Sequence, residues 1–444
     1  MREYFRFKEL GTNYKTEILA GVTTFVTMAY IVVVNPLILA DAGIPVLPST
    51  VATIIAAFVG TLLMGVYARR PFAVAPYMGE NVFIAATVVG VLGYTWQEAL
   101  AAIFIGGILF IALTLLKLRS WLADAVPASL KYSFVVGIGL FLTFIGLKDI
   151  GVVTIGTEGA PLVMGDVTSI PVILGVIGFL IIAVLMILRV KGSILISVIF
   201  ITLLANLLTN VFGLSIETLK PLTGFPIGLP PDPSPILFKI DFGKVLTWGF
   251  IPVLLVVFLM DFLDTMGTLI GVSARANLLD EDGNLPEIEK PMLSDAIATV
   301  VGALAGTTTT GAYIESAAGI EEGGKSGFSS VVTAFLFLLL LFMAKFVAAV
   351  PPFAYGPALV MVGILMMQSI TKIDFEDFSE TIPAFFTIIL MSFTYNIGIG
   401  MTAGFLLYPI IKLASGKVNE VKMPLWILCF LSFLFYLFQY FLRH

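Results

Sequence analysis

Cysteine and histidine are almost absent: Cys429 is the one cysteine, and His444, the last residue, the one histidine. That excludes disulfides, metal sites built from Cys or His, Ser-His or Cys-His catalysis, and a histidine proton relay within a membrane. Charge is also scarce, at 12% of 444 residues, where soluble globular chains run near about 25%. Stretches such as 18–40, 42–68, 192–216 and 381–411 hold no charged residue at all. About 20 apolar residues, rising ~1.5 Å each, cross a hydrocarbon core of about 30 Å. These stretches therefore read as membrane spans, and no large soluble domain fits between them. A transmembrane β-barrel would need alternating segments of roughly 10 residues. The runs here are unbroken Leu, Ile, Val and Phe, so helices are expected. Residues 1–15 are mixed and charged, with no short apolar core or cleavage site. No signal peptide is expected, and the first span is its own insertion signal.

What is present divides into two halves. Seven spans are expected over 17–40, 50–68, 72–93, 98–117, 128–147, 168–188 and 192–213. Seven more are expected over 245–274, 293–310, 312–324, 327–350, 353–371, 380–396 and 398–415, with 423–442 left as a terminal apolar helix peripheral to function. Gly60-Thr61-Leu62-Leu63-Met64-Gly65-Val66-Tyr67 is echoed by Gly306-Thr307-Thr308-Thr309-Thr310-Gly311-Ala312-Tyr313, a shared G-T-x-x-x-G-x-Y ending the second span of each half. Seven is odd, so the second half enters the membrane inverted, as in many transporters. The basic residues fit this plan. With the N-terminus inside, 18 of the 24 Lys and Arg fall on the cytoplasmic side, Lys117 and Arg119 among them. Five, including Lys220, fall outside, and Arg443 is undecided; this is the bias of the positive-inside rule.

Two stretches read badly as plain helix. Pro71 and Pro76 bracket a short extended segment in the third span, and Gly311 to Gly324 is rich in glycine in the tenth. Phe72–Ala75 and Ala312–Glu315 are expected to be extended and to face each other near the midplane. Irregular backbone at that depth persists only where it is buried in protein or lines a cavity, and paired broken spans mark transporter binding sites. Asp261 and Asp264 lie in an otherwise apolar span, and their spacing puts both on one helix face. An acid at a helix centre costs roughly 2.5–3.5 kcal/mol, so each needs a reason to stay. Asp264 and Glu315 read as substrate or proton groups, while Asp261 and Glu80 read either as members of that site or as braces for a half-helix. Glu321 and Glu322 read as solvated. Thr307–Thr310 either offers hydroxyls to the site or bonds back to helix carbonyls. Gly319 to Ser326 fits the phosphate-loop pattern G-x-x-x-x-G-K-S, but it follows no buried strand of an α/β sheet, and Glu321 and Glu322 would repel phosphate.

At Ala-Val-Ala-Pro-Tyr-Met-Gly-Glu-Asn (73–81), Met-Asp-Phe-Leu-Asp-Thr-Met-Gly-Thr (260–268) and Tyr-Ile-Glu-Ser-Ala-Ala-Gly-Ile (313–320) the sequence resembles the azaguanine-resistance type of purine permease, the adenine/guanine/hypoxanthine branch of the nucleobase–cation symporters. The likeness runs over essentially the whole chain. It implies an all-α polytopic membrane protein of uracil-permease-like fold, with 14 spans in a 7+7 inverted repeat and short strands in the broken third and tenth spans. It further implies a core domain over 1–126 and 241–350, and a gate domain over 127–240 and 351–444. Carried over by position, Asn81, Asp261, Asp264 and Glu315 form the functional set, with Thr268 one turn beyond Asp264. Many members read G-M-G-x-N in the third span, where this chain has Tyr77-Met78-Gly79-Glu80-Asn81, so Tyr77 and Glu80 would alter preference.

The chemistry agrees. A purine base is neutral and planar, and a carboxylate accepts two parallel N–H bonds from its edge. Proton coupling is expected through the cluster of Asp261, Asp264 and Glu315, because no histidine is available at this depth. The expected partners are a purine base, a proton and the lipid bilayer of the cytoplasmic membrane, with the N-terminus inside. A homodimer is compatible with the sequence, and neither a cofactor, a metal nor nucleic acid is expected. An anion carrier of the sulfate type shares the architecture, but it would want a cation, or no acid, at the broken helices. An intramembrane aspartyl protease would place its two aspartates on separate helices, whereas Asp261 and Asp264 share one. A leak channel is not separable from a carrier by sequence.

Overall fold

The computed structural model describes residues 1–116, 126–157, 160–216, 218–219, 227–245, 247, 250–276, 278–279 and 285–443. Lys117, Arg119, Lys220 and His444, used above, lie outside these, as do 246 and 248–249 of the expected eighth span.

A short helix α1 (Phe7–Leu10) precedes the first span, which is two helices, α2 (Tyr14–Met28) and α3 (Ile31–Ala40). Asn13 caps α2 by accepting the Thr16 N–H. Pro36 inside α3 cannot return a hydrogen bond, and the chain bends at Ala29–Tyr30 before it. α4 (Val46–Val66) leads to strand β1 (Val74–Pro76), then α5 (Met78–Val82), which winds on as a π-helix over Phe83–Val91. α6 (Trp96–Leu115) opens with a capping box in which Thr95 and Glu98 satisfy each other's backbone N–H. α7 (Ala128–Ile150) is closed by Gly151 in the left-handed region. It is followed by an exposed antiparallel hairpin, β2 (Val153–Thr157) and β3 (Ala160–Met164). α8 (Ile170–Ile187) and α9 (Ser193–Phe212) complete the first half.

The second half runs through α10 (Ile251–Arg275), α11 (Glu289–Ala305), β4 (Thr310–Ala312) and α12 (Ser316–Glu321). It continues with α13 (Gly327–Leu339), α14 (Ala344–Val347), α15 (Pro352–Met367), α16 (Phe378–Phe393) and α17 (Ile397–Ala414), and ends in α18 (Met423–Arg443). Among the described residues, ten helices are long and apolar enough to cross a membrane. The expected third and thirteenth spans are shorter apolar helices, and the tenth is a strand with a six-residue helix. The chain is therefore not wholly helical. The strands in the third and tenth spans were expected, but the β2–β3 hairpin was not.

Helices pack in two sets. α2, α4, α6, α10, α11 and α13 form one set, in which α4, α10 and α11 pack on the β1–β4 pair, while α7, α8, α9, α15, α16 and α17 pack on one another. Within the second set α7 lies close against α15. A side chain at Gly139 would stand 2.9 Å from the Gly363 carbonyl, and one at Gly356 2.9 Å from that of Gly146. Small residues admit such close backbone approach in membranes. The terminal helix α18 packs on α17 and touches α10; Tyr436 donates to the Ile399 carbonyl at 3.0 Å.

One end of the second set is tied by a buried cation. Lys412, 1% exposed, meets Glu380 at 2.6 Å and Glu420 at 2.5 Å. Tyr408 and Ser129 also donate to Glu380, which joins α17 to α16 and α7. Nearby, the Lys417 ammonium at 2.6 Å and the Ser379 hydroxyl hold the Asp377 carboxyl well below its ordinary range. Lys412→Met strands Glu380 without a counter-charge and should destabilise the protein by about 3 kcal/mol, the low end for a broken buried pair because Glu380 and Glu420 keep some water. The thermal midpoint in detergent should fall, and Lys412→Met with Glu380→Leu should recover part of it. An unchanged midpoint in the single variant would show the cluster to be energetically idle.

Candidate functional site

The two broken spans meet as a two-stranded antiparallel ribbon. Val74 pairs with Ala312, Ala75 with Gly311 and Pro76 with Thr310. The ladder continues beyond both strands, with Tyr313 N–H donating to the Ala73 carbonyl at 2.9 Å and Tyr77 N–H to the Thr309 carbonyl at 3.1 Å. Each strand is also tied to the preceding helix by one threonine. Thr61 of α4 accepts the Val74 N–H and donates to the Val74 carbonyl, both at 2.9 Å. Thr299 of α11 accepts the Thr310 N–H at 3.0 Å and donates to its carbonyl at 3.4 Å. The backbone groups that a short strand in a membrane would leave unpaired are thereby satisfied.

Two tyrosines follow the two strands and repeat the same relation. The Tyr77 hydroxyl donates to the Ala312 carbonyl at 3.2 Å, and the Tyr313 hydroxyl donates to the Pro76 carbonyl. Their rings stack at 6.0 Å between centroids and 14° between planes. The Tyr77 ring lies directly over Gly311, where a Cβ would overlap it.

This geometry corrects two expectations. The extended segments are Val74–Pro76 and Thr310–Ala312; they overlap the expected Phe72–Ala75 and Ala312–Glu315 but begin two residues later and two residues earlier. The twin G-T-x-x-x-G-x-Y strings also do not occupy equivalent places. Gly60 is inside α4, whereas Gly306 caps α11 at φ 100°. The counterpart of Thr61 is Thr299, and that of Tyr313 is Tyr77 rather than Tyr67.

The structure brings the expected acids around this ribbon, at two depths. Asp264 on α10 and Glu315 at the start of α12 are half-buried. Glu315 Oε1 accepts the Tyr30 hydroxyl at 2.7 Å. Asp261 is 1% exposed, with Oδ2 standing 3.5 Å from the Thr299 hydroxyl oxygen and Oδ1 without a partner. Glu80 is 2% exposed and lies against the Asp264 carboxyl, and no other residue donates a hydrogen bond to either of its oxygens. Asn81 is buried; its Oδ1 accepts from Thr308, and its Nδ2 has no partner. Thr268 donates back to the Asp264 carbonyl at 2.7 Å and takes the Tyr77 hydroxyl at 3.4 Å.

Asp295 on α11 was missed by the sequence reading. It is fully buried, accepts from Thr265 on α10, and takes the Thr310 hydroxyl of β4 at 3.4 Å. It therefore ties α10, α11 and the ribbon together. The threonine run is divided in its roles. Thr307 accepts from Asn35 at 2.9 Å and Thr308 serves Asn81, whereas the Thr310 hydroxyl reaches both the backbone carbonyl of Asp295 in α11 at 3.3 Å and its carboxyl at 3.4 Å. Glu321 and Glu322 are exposed, as expected. The phosphate-loop-like string runs from the end of α12 to Ser326, the N-cap of α13, and the place of an anion there is filled by buried Glu17. Glu17 takes the N–H groups of Lys325 at 3.0 Å and Ser326 at 3.2 Å.

Among the described residues no Lys or Arg lies within electrostatic reach of Glu80, Asp261, Asp264, Asp295 or Glu315. Nor do three or more of the described His, Cys, Asp and Glu gather as a metal-holding group. The arrangement offers hydrogen-bond acceptors to a ligand rich in donors, with two stacked aromatic rings beside them.

Comparison with known proteins gives a consistent picture. Residues 15–407 match the Permease family (Xan_ur_permease). A putative permease of Methanocaldococcus jannaschii is 43% identical over 96% of each chain. A guanine/hypoxanthine permease of Bacillus subtilis is 41% identical over 98% of this chain and 99% of its own. An adenine permease of Escherichia coli is 37% identical over 94% and 92%. Among solved structures, the transmembrane domain of a cyanobacterial bicarbonate transporter aligns with a TM-score of 0.62, over 88% of this chain and 97% of that one. Its identity is 16%, so that likeness speaks of fold alone.

Proposed function

The chain belongs to the Permease family, and on that premise we propose that it carries purine nucleobases across the cytoplasmic membrane, driven by a proton. The observation that carries this reading is the pair of half-buried carboxylates, Asp264 and Glu315, beside the strand ribbon and out of reach of any described cation. A carboxylate accepts parallel N–H bonds, and the edge of a purine base supplies them. The relatives named for adenine, guanine and hypoxanthine transport support the same substrate class. Anion transport, as by the bicarbonate transporter of similar fold, is disfavoured because five carboxyls without a cation repel an anion.

In this reading Asp264, Glu315, Asn81, Thr268 and Tyr77 bind the base, and the coupled proton is carried through the cluster of Asp261, Asp264 and Glu315. The set built on α2, α4, α6, α10, α11 and α13 is the core domain, and the set built on α7, α8, α9, α15, α16 and α17 is the gate domain. The chain spans the membrane fourteen times as a 7+7 inverted repeat, with its N-terminus in the cytoplasm. Support for the repeat comes from the matched roles of Thr61 and Thr299 and of Tyr77 and Tyr313. The core then moves against the gate, exposing the ribbon to each side in turn.

The test is uptake of labelled hypoxanthine, guanine and adenine into proteoliposomes, with and without an inward proton gradient. Uptake of purines that rises with the gradient is expected. Sulfate or bicarbonate uptake without purine uptake would overturn the proposal, and sodium dependence in place of proton dependence would overturn the coupling.

A further inference from the structure

Glu80 has no role in the binding set above, yet its situation is the most demanding in the molecule. It is 2% exposed, no other residue donates a hydrogen bond to either oxygen, and its one side-chain polar neighbour in contact is the carboxyl of Asp264. The groups facing it are all acidic or phenolic: Asp264 and Asp261 from α10, and Tyr313 at the end of β4. The π-helix and α3, which also pack on α5, contain no titratable residue. α7 meets α5 at Ile138, which lies against Gly79. Two carboxylates in contact, with no cation near, cannot both stay charged once water is closed out; a pair so placed shares a proton.

The two partners differ in access. Asp264 is half-buried, whereas Glu80 stands behind it, closed from solvent. We infer that Glu80 stores the coupled proton, received through Asp264 and returned the same way. This deepens the proton-coupled reading and rests on it. One proton from water adds to a Glu80 oxygen, and the new O–H donates to the Asp264 carboxylate. Asp264 keeps its negative charge and its remaining lone pairs for the N–H edge of the base. A bound base closes water out of the site, which makes the doubly charged pair untenable and so binds the proton together with the substrate. When the site opens to the cytoplasm and the base leaves, water returns and the proton leaves by Asp264. One proton moves per base, and no other group changes its charge.

Glu80→Gln puts a fixed N–H donor where the protonated carboxyl would be. Purified protein is titrated with hypoxanthine in weakly buffered solution while proton uptake is recorded, and accumulation is then measured in proteoliposomes. The native protein should take up about one proton per base and accumulate it about 50-fold for a driving force of ~100 mV. Glu80→Gln should take up none, its hypoxanthine affinity should no longer depend on pH, and accumulation should fall to about 1-fold while exchange of labelled for unlabelled base continues. A merely structural Glu80 would leave the pH profile in place. Glu80→Leu, which removes both oxygens, is read in the same way should the Gln variant not insert. A variant that keeps the native proton uptake and accumulation overturns the inference, as does a native protein that binds hypoxanthine without taking up a proton. A native protein that binds no purine overturns the transport reading itself.

Discussion

Replacing Glu315 by glutamine should abolish high-affinity purine binding while leaving the protein folded. Glu315 begins α12 directly after the ribbon, half-buried, with Oε1 holding the Tyr30 hydroxyl at 2.7 Å. A carboxylate has about four lone-pair sites, so one hydroxyl leaves most of its accepting capacity for a ligand. Glutamine keeps an oxygen for Tyr30 but turns the other position into a donor that faces the N–H groups of the base. Hydrogen bonds to charged groups contribute about 1.5–3 kcal/mol each. Losing two of them corresponds to a rise in Kd of roughly 100-fold or more, at about 1.4 kcal/mol per tenfold. Equilibrium binding of labelled guanine to purified protein reads the effect directly, with the thermal midpoint as the control for folding. Asp264→Asn should behave alike. Native affinity in both variants would show that the base binds elsewhere.

Gly311→Ala should be nearly as severe, through packing rather than charge. Gly311 pairs with Ala75 in the ribbon, and its missing side chain is the space the Tyr77 ring occupies. A methyl group there overlaps the ring, so Tyr77 must leave its stack with Tyr313 and its bond to the Ala312 carbonyl. Overpacking costs typically about 1–3 kcal/mol, and the strain falls on residues that line the site. Transport should drop by about tenfold or more. Adding Tyr77→Ala restores the room: stability should return while transport stays low, because the ring itself is needed. Full transport in Gly311→Ala alone would mean that the stacked pair plays no part.

Much of this fold is readable from the chain because a bilayer leaves few choices. Uncharged runs must be helices, and the helices Tyr14–Ala40, Val46–Val66 and Ile397–Ala414 begin and end within a few residues of their expected bounds. Pro71 and Pro76 announce one break and the Gly-rich 311–324 the other, and the acids that remain at that depth announce the site. What escapes the sequence is pairing. Asp295 follows Lys290 near the start of its span and reads as an edge residue; its place depends on Thr265 and Thr310, brought from two other elements. The likeness of Gly60-Thr61 to Gly306-Thr307 is a likeness of letters. The relation that repeats in space, one threonine bonding both backbone groups of one strand residue, links Thr61 with Thr299, and no shared string marks it. The β2–β3 hairpin escaped because it lies in the connection between the expected spans 128–147 and 168–188, although Val153–Thr157 is rich in β-branched residues.

The central claim is that the acids around the ribbon receive a neutral base rich in N–H donors. Equilibrium binding of labelled hypoxanthine to the purified protein, with unlabelled competitors, tests it most directly. The account predicts one saturable site per chain, displaced by adenine and guanine and indifferent to sulfate and bicarbonate. No saturable purine binding, or displacement by sulfate or bicarbonate, would contradict it.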